Sequence, residues 1–281
     1  KNILSVISEI RYIRFTVLLF LVFPSLSEPT PGWVDNFNGP VAFWIGVQKG
    51  IIKTCLVDNT VSPEIIPVDV AINAVICSGY ARAKNPSPPT PIINATHCGL
   101  YPFNWADGYV SSLHHYHKYP YKNVLWYPEA FFTTRFYQFL AISILFQIIP
   151  SLIVDFLLIM FLQKPFLIST QKRIFQSWLI FQEFNVNKWT FSNSNFLKLE
   201  ETLDEADKKV FYGIMSKNMD MHQYLGDIYH TTKKYLLNDT SKNFPLYKFR
   251  NKILYILDRS LKLSFIYVVL KWSFNHLQMM F

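Results

Sequence analysis

Residues 28–40 form the stretch that most restricts how this chain folds. They include three prolines, two glycines, three Asp or Asn residues and two large aromatic residues, Trp33 and Phe37. Proline removes a backbone donor, and glycine and Asn favour turn conformations, so this composition predicts a rigid loop rather than a helix or strand. The two aromatic rings give the loop a surface that can pack against apolar groups.

The segments on either side of this loop have different patterns. Residues 15–23 are a continuous β-branched and aromatic run, which predicts a fully buried strand. After the loop, Pro40 stands where a helix accepts proline, and residues 41–49 can continue that helix. A loop between a strand and a helix lies at the carboxyl end of a sheet, where open α/β folds bind ligands. The unit predicts either the rim of a binding site or a plain surface loop.

Shorter patterns extend the α/β prediction along the chain. Further strands are predicted over residues 50–57, 65–70 and 92–95. Asp69 is placed to cap a helix over residues 70–82. A second role for Asp69, as an anchor at the ligand end of the sheet, stays open beside the cap.

The composition favours contact with a membrane or an anionic ligand. Charged residues make up 16% of the 281 residues, under the usual quarter, while hydrophobic residues make up 51% and the formal net charge is +8. This charge suits anionic lipid or a phosphorylated ligand, and no basic low-complexity block indicates nucleic acid. The three cysteines form no Cys-x-x-Cys pair, so we predict neither disulfides nor a zinc ribbon and expect a reducing compartment.

His114, His115 and His117 are close enough in sequence to suggest a metal site. Zinc sites use three or four convergent ligands, and no second Cys or His cluster in the sequence completes such a set. We therefore expect these histidines to be structural and predict no metal site.

Residues 136–162 belong to the most apolar part of the chain. The run is long enough to cross a hydrocarbon core, but Gln147, Pro150 and Asp155 interrupt it. A carboxylate at mid-depth costs about 2.5–3.5 kcal/mol. We therefore predict an apolar hairpin of two helices hinged at Pro150, which lies in a membrane interface or encloses an acyl chain. A buried hairpin in a soluble core is the alternative.

The remaining segments are predicted to be helical. Residues 121–281 would then form an all-α, partly membrane-associated domain after an α/β domain over residues 1–120. Whether residues 136–162 and 261–281 span the bilayer or lie on it stays open.

Several segments together resemble one enzyme family. In order, they are the loop at residues 28–40, residues 65–74 (Ile-Ile-Pro-Val-Asp-Val-Ala-Ile-Asn-Ala), 126–128 (Trp-Tyr-Pro), 150–155 (Pro-Ser-Leu-Ile-Val-Asp) and 255–259 (Tyr-Ile-Leu-Asp-Arg). They are similar to the alcohol-forming fatty acyl-CoA reductases, particularly those of insects. The resemblance begins in the middle of that family's reductase domain. It implies an α/β remnant, the end of an extended short-chain-dehydrogenase Rossmann domain, followed by the family's helical carboxyl-terminal domain.

The resemblance implies NADPH-dependent reduction of a long-chain fatty acyl-CoA to a primary alcohol and free CoA. The family's glycine-rich turn is not found, since the nine glycines form no Gly-x-x-Gly-x-x-Gly. Its Tyr-x-x-x-Lys spacing occurs at Tyr229/Lys233 and Tyr267/Lys271, but such spacings arise by chance. We interpret both pairs as helix-surface residues and predict no catalytic residue in this chain.

The resemblance also implies residues near the ligands. Pro24 and Ser25 would border the nicotinamide of NADPH, and Trp33, Asn36 and Phe37 would lie near the substrate channel. Structural roles compete with these, because Pro24 and Ser25 can simply end a strand and Trp33 can pack the loop.

We therefore predict a fragment of a fatty acyl-CoA reductase, inactive by itself because its catalytic groups lie upstream of Lys1. The alternative is a non-catalytic, membrane-bound lipid-binding remnant of such an enzyme. The expected partners are long-chain fatty acyl-CoA and membrane lipid, with no nucleic acid. The expected location is the cytosolic face of the endoplasmic reticulum or peroxisomal membrane.

Overall fold

The fold is mixed α/β and mostly helical. This confirms the predicted fold class as far as the mixture of strands and helices is concerned. A computed structural model describes residues 15–19, 21–85, 91–96, 103–211 and 219–280. Residues 1–14 and Cys98 lie outside the described part. Cys55 and Cys77 are free and buried.

Within the described residues, six short strands form three parallel pairs. β1 (Thr16–Leu19) pairs with β5 (Ile92–Ala95), β2 (Leu21–Phe23) with β4 (Ile65–Pro67), and β3 (Thr54–Leu56) with β6 (Phe131–Thr133). In register, Thr16 lies opposite Ile92, Leu21 opposite Ile65, and Thr54 opposite Phe131. Parallel partners require long crossover connections, which here contain helices.

Three helices belong to this α/β part. They are α1 (Gly39–Gln48), α2 (Val68–Lys84) and α3 (Trp105–Lys118). Helix α1 follows the proline-rich loop with Pro40 in its first turn, as predicted. The loop and the two strands before it therefore form the expected strand–loop–helix unit.

The second half of the described chain is helical. Its helices are α4 (Phe136–Ser143), α5 (Ile149–Met160), α6 (Leu167–Val186), α7 (Ser194–Leu197), α8 (Glu205–Val210), α9 (Met221–Thr231) and α10 (Phe244–Met280). π-helical turns at Ile144–Ile148 and Thr232–Leu236 follow α4 and α9, and Glu200–Thr202 is a 3-10 turn.

The carboxyl-terminal helices share the core with the strands. One buried cluster joins Ile66, Ala74 and Ile93 to Phe196 of α7, and a second joins Phe23 and Ile65 to Ile228 of α9. Strand β6, which follows residue 120, pairs with β3, so the prediction that residues 121–281 are all-α is wrong at this strand. The division at residue 120 stays a prediction.

The prediction of a fully buried strand at residues 15–23 is wrong about burial. Leu18, Leu19 and Val22 are 51%, 43% and 41% exposed. Parallel strands are normally covered on both faces. The described residues form only two-stranded pairs here and leave part of this strand uncovered.

The predicted hairpin at 136–162, hinged at Pro150, is also wrong. Helix α4 passes through the π-helical turn into α5, so residues 136–160 form one continuous helical run with Pro150 in the first turn of α5. A wider π turn before a proline accommodates its missing donor and the clash of its ring with the preceding turn. The chain reverses at residues 161–166, between α5 and α6.

Polar side chains of this run face the protein. Ser143, Gln147, Ser151 and Asp155 recur every four residues and are all buried. Gln147 Oε1 accepts the N–H of Lys53 at 2.9 Å. The Asp155 carboxylate accepts the N–H groups of Phe166, Leu167 and Ile168 at 3.0, 3.0 and 2.9 Å, which caps α6. The outward face of α5 is correspondingly apolar.

By length and composition, Phe136–Met160 is the one helix in the described residues that could cross a membrane. It has 25 residues and a mean hydropathy of 2.3 in its most apolar window.

Candidate functional site

The proline-rich loop is attached to α2 through a carboxylate. Asp69 Oδ1 accepts the N–H of Leu26 at 2.9 Å, and Oδ2 accepts those of Ser27 and Glu28 at 2.8 and 3.1 Å. The prediction that Asp69 is the N-cap of α2 is wrong, because Pro67 takes that position. The side chain lies in the first turn of α2 and satisfies the loop instead. Its alternative role, as an anchor at the ligand end of the sheet, stays a prediction.

The opposite side of the loop packs against α9. Thr231 Oγ1 donates to the carbonyl of Pro31 at 2.8 Å, and the hydroxyl of Tyr224 donates to the carbonyl of Pro24. Gly32 has φ +73°, and a Cβ there would lie 2.3 Å from the backbone of Asp227. Only glycine permits both this conformation and this close approach. The loop is therefore held between α2 and α9.

Pro24 and Ser25, the predicted cofactor residues, form the base of the loop. Ser25 is fully buried; its hydroxyl donates to the carbonyl of Thr30 at 2.7 Å and accepts the N–H of Trp33 at 3.1 Å. Contact between this hydroxyl and a nicotinamide would require the loop to open. In the described arrangement these residues do not fit a cofactor contact, and their cofactor role stays a prediction.

Of the three predicted substrate residues, Phe37 lines a cavity. It is 53% exposed and lies beside the start of α1. Asn36 is exposed and its amide donates to Asp35 at 2.8 Å, while Trp33 is half-buried within the loop. The structure thus brings Phe37, but not Trp33 or Asn36, to the wall of the groove described below.

This groove, with a volume of about 1010 Å³, runs between α1 and α6. It is at the upper end of the size range of small-molecule pockets. Its wall is mainly apolar and aromatic and includes Phe43, Ile52, Trp105, Ile174, Trp178 and Phe181. We call it the α1–α6 groove. Such a wall suits a long apolar ligand.

Two cationic side chains lie at the α1–α6 groove. Arg173 of α6 is exposed, and Lys49 follows the last residue of α1. Burial lowers the pKa of Lys49, although Asp239 opposes that shift. Gln171 Nε2 donates to the carbonyl of Ile51 at 2.9 Å and so joins the beginning of α6 to the segment after α1. Arg173 and Lys49, which are close to these two residues in sequence, therefore lie at the same end of the groove.

Sequence reasoning missed the groove-lining face of α6. Ile174, Trp178 and Phe181 are separated by four and three residues and therefore lie on one face of the helix. This spacing is visible in the sequence and indicates an apolar helix face. It did not reveal that α1, more than a hundred residues earlier, forms the opposite wall.

The interpretation of Tyr229 and Lys233 as surface residues is wrong. Both are buried, at 4% and 6% exposure. The Tyr229 hydroxyl donates to the carbonyl of Tyr119, and Lys233 Nζ pairs with Asp239 at 2.6 Å. Burial raises the pKa of Tyr229, opposite to what a proton-donating catalytic tyrosine needs. Tyr267, in contrast, is 64% exposed, as predicted.

The histidine cluster of α3 extends to α9. His115 lies with ring centroids 5.0 Å from His222 and 6.0 Å from His230, and His114 lies 5.5 Å from His222. Both ring nitrogens of His115 are buried without a hydrogen-bond partner. Across the described ranges, no group of three or more His, Cys, Asp or Glu side chains is placed to hold a metal ion.

Comparison with known proteins gives two family matches. A family model described as "Male sterility protein" matches residues 146–239. A second model with that description, whose name denotes an NAD-binding domain, matches residues 9–75. The two matches fall on the helical region and on the strand–loop–helix region, respectively.

Curated relatives are similar over most of this chain. The putative fatty acyl-CoA reductase CG8306 of Drosophila melanogaster is 30% identical over 251 residues, which are 87% of this chain and 48% of that protein. Fatty acyl-CoA reductase 1 of Xenopus laevis is 29% identical over 263 residues, 90% of this chain and 48% of the relative. Fatty acyl-CoA reductase wat of Drosophila melanogaster is 25% identical over 225 residues, which are 80% of this chain and 43% of that protein. The chain spans about half the length of these relatives.

Proposed function

Since this chain belongs to the fatty acyl-CoA reductase family, we propose that it supplies the acyl-binding part of such an enzyme. The observation that carries the proposal is the α1–α6 groove, whose apolar wall and volume of about 1010 Å³ suit a long hydrocarbon chain. Burial of each methylene in such a groove contributes about 0.8 kcal/mol. The substrate is then a long-chain fatty acyl-CoA.

The cationic end of the groove would receive the polar part of the substrate. Arg173 presents a planar guanidinium that can bind phosphate oxygens through two hydrogen bonds, and Lys49 adds a second positive charge. The acyl chain would then extend along α6 toward Phe181. This orientation keeps the coenzyme A phosphates in water, where their desolvation cost is lowest.

The reaction that we propose for the whole enzyme is reduction of the acyl thioester to a primary alcohol. A nicotinamide cofactor is implied by the NAD-binding family match, and we propose NADPH, which would supply the hydride. No described residue of this chain is assigned to proton transfer. We infer that the 281-residue polypeptide alone neither binds NADPH tightly nor turns over acyl-CoA.

Calorimetric titration of this polypeptide tests the proposal. Palmitoyl-CoA, kept below its micellar concentration, should bind with a Kd of about 1 μM, and CoA alone at least about tenfold more weakly. Equal affinity for the two ligands would contradict an acyl-binding groove. NADPH binding at micromolar Kd would contradict the inference of inactivity.

A charge-reversal pair makes this experiment more specific. Arg173→Glu should weaken palmitoyl-CoA binding by about tenfold, because it places a carboxylate beside the phosphates. Lys172→Glu is the matched control, since Lys172 is the preceding residue on α6 and is exposed outside the groove. Equal losses in both variants would indicate a general charge effect and no specific head-group contact.

The alternative function is a lipid-binding remnant without catalysis, and the polarity of residues 136–160 supports lipid contact. Ser143, Gln147, Ser151 and Asp155 of this run are buried, whereas Ile153, Phe156 and Met160 are 55%, 62% and 62% exposed. This polarity is the reverse of that of a soluble surface helix. We propose that this face contacts the bilayer of the endoplasmic reticulum or peroxisome from the cytosolic side.

Two measurements test membrane contact and the choice between enzyme and remnant. Flotation with phosphatidylcholine–phosphatidylserine vesicles should recover the polypeptide with lipid, and recovery in the lipid-free fraction would contradict membrane contact. The transcript decides between enzyme and remnant. An in-frame glycine-rich strand-turn-helix upstream supports the enzyme, whereas a start codon at the edge of this segment supports the remnant.

A further inference from the structure

Two aromatic rings cross the middle of the α1–α6 groove. Phe43 of α1 and Trp178 of α6 have ring centroids 5.3 Å apart and planes at 86°, which is an edge-to-face contact. Both side chains line the groove and neither is fully buried. The two walls therefore touch at this point through side chains that contact the cavity.

Each ring also packs against a further aromatic side chain. Trp178 lies 6.2 Å from Phe139 of α4, and Phe43 lies 5.3 Å from Trp44, which itself lies 6.3 Å from Trp105. Edge-to-face and tilted contacts at these distances are attractive. Movement of either ring would disturb several contacts, so the pair is a fixed feature of the groove.

The pair also has a defined position along α6. Gln171 contacts the carbonyl of Ile51 near the cationic end, and the carbonyl of Asn185 accepts the N–H of Asp58 at 3.0 Å toward the other end. Trp178 is seven residues from each. At a rise of about 1.5 Å per residue, the ring pair lies about 10 Å from either point.

We propose that the Phe43–Trp178 pair determines how long an acyl chain the groove accepts, an inference that rests on the acyl-binding function proposed above. A chain whose head group lies at Arg173 and Lys49 extends toward the pair and fills the nearer half of the groove. A longer chain must separate the two rings and lose their contact. Affinity therefore rises with chain length until the terminal methyl reaches the rings, and then stops rising.

The experiment measures binding of a series of ligands to the 281-residue polypeptide. Butyryl-, hexanoyl-, octanoyl-, lauroyl-, palmitoyl- and stearoyl-CoA displace a fluorescent fatty acid, each below its micellar concentration. Before the break, each added methylene should tighten binding by up to about fourfold, from the free energy of burying one methylene. Beyond the break, affinity should be constant or fall.

Trp178→Ala should move the break to longer chains by removing one of the two rings. Ile180→Ala is the matched control, because Ile180 lies on the same helix, is 69% exposed and is outside the groove lining. The control should keep the native break. If Trp178→Ala does not fold, Trp178→Leu and Phe43→Leu remove the ring contact with less loss of apolar volume.

The outcomes separate the two proposals. If no acyl-CoA binds more tightly than CoA, the acyl-binding function fails and the length determinant fails with it. If affinity depends on chain length but shows no break, or the break stays in place without the rings, the length determinant alone is overturned. A break that moves in the ring variants and stays in Ile180→Ala supports it.

Discussion

Helix α2 and the helical run at residues 136–160 differ in the side chains that they bury: mainly apolar ones in α2 and mainly polar ones in the run. Helix α2 buries Val70, Ala71, Ala74 and Cys77, which pack against the strands. The run buries Ser143, Gln147, Ser151 and Asp155 and exposes Leu152, Ile153 and Phe156 by more than half. Burying polar groups is tolerated only where they are hydrogen-bonded. The comparison shows that the first region turns its apolar face inward in the usual way, whereas the second has the reverse polarity.

The same kind of contact, a carboxylate that accepts backbone N–H groups, stabilises both regions. Asp69 accepts three backbone N–H groups of the proline-rich loop, and Asp155 accepts three at the start of α6. Both carboxylates join segments that are separated in sequence. Four substitution experiments, described from the largest expected effect to the smallest, test whether the two regions differ as this comparison states.

Gly32→Ala should have the largest effect, because it separates the loop of the α/β region from α9. The added Cβ would lie 2.3 Å from backbone atoms of Asp227 and Ile228, at φ +73°. Overpacking and left-handed strain together should lower the free energy of unfolding by about 3 kcal/mol, as measured by urea denaturation.

Gly39→Ala is the matched control for this prediction. Gly39 also has a positive φ, +56°, but no atom lies within 4 Å of its added Cβ. The loss should therefore be about 1 kcal/mol, from strain alone. Equal losses at both glycines would show that contact with α9 does not stabilise the loop.

Asp155→Ala tests the helical region. It leaves three N–H groups at the start of α6 without their charged acceptor and should cost about 2–3 kcal/mol in urea unfolding. The control is Asp204→Ala, at an exposed carboxylate that accepts the N–H of Asp207 and caps α8. Its expected cost is about 1 kcal/mol. A small loss in Asp155→Ala would mean that the buried polar face is not essential to this region.

Phe161→Asp tests whether the apolar surface of the second region faces lipid. Phe161 is 73% exposed at the turn between α5 and α6. A charge there should reduce vesicle binding by about tenfold without lowering stability. Ile72→Asp, at a 53% exposed residue of α2, should leave vesicle binding unchanged. Similar losses in both variants would remove the distinction between the two regions.

His115→Leu should have the smallest effect, a change in how the free energy of unfolding depends on pH. Burial and the neighbouring His222 lower the pKa of His115, and burial lowers that of His230. A lowered pKa means that the folded protein binds the proton less tightly than the unfolded chain. Stability is therefore present above the ordinary histidine pKa of about 6.5 and decreases as the pH falls through that value.

The measurement is the urea unfolding free energy at about pH 7.5 and pH 5.5, on either side of the ordinary histidine pKa. His115→Leu should lose less stability on acidification than the native chain. His114→Leu, at an exposed neighbouring residue, should keep most of the pH dependence. An unchanged pH dependence in His115→Leu would exclude His115 as its source.

Much of the fold could be predicted because local rules determine it. The proline-rich loop and the helix at Pro40 follow from backbone restrictions that act within a few residues. The prediction of a hairpin at 136–162 was wrong because it considered only the local effects of Pro150 and Asp155 on a helix. It did not consider their contacts with other segments. The π-helical turn accommodates Pro150, and Asp155 finds three donors in the next helix.

The candidate site was less predictable than the fold. Phe37 was found through the family resemblance, and the structure places it at the groove wall. Phe43 and Trp178 were missed, because each looks like an ordinary helix residue until the two helices meet. Tyr229 and Lys233 were assigned to the surface since their spacing carries no information on burial.

The sequence alone determined the proline-rich loop, the helix at Pro40 and the approximate positions of several other elements, since backbone conformation and side-chain periodicity are local properties. Only the tertiary structure decided which face of each helix is buried, where Asp69 and Asp155 find their donors, and that α1 and α6 enclose one groove. Those features depend on contacts between segments up to about two hundred residues apart, such as Thr231 with Pro31. Local propensity does not encode such contacts, because their free energy arises only when both partners are brought together.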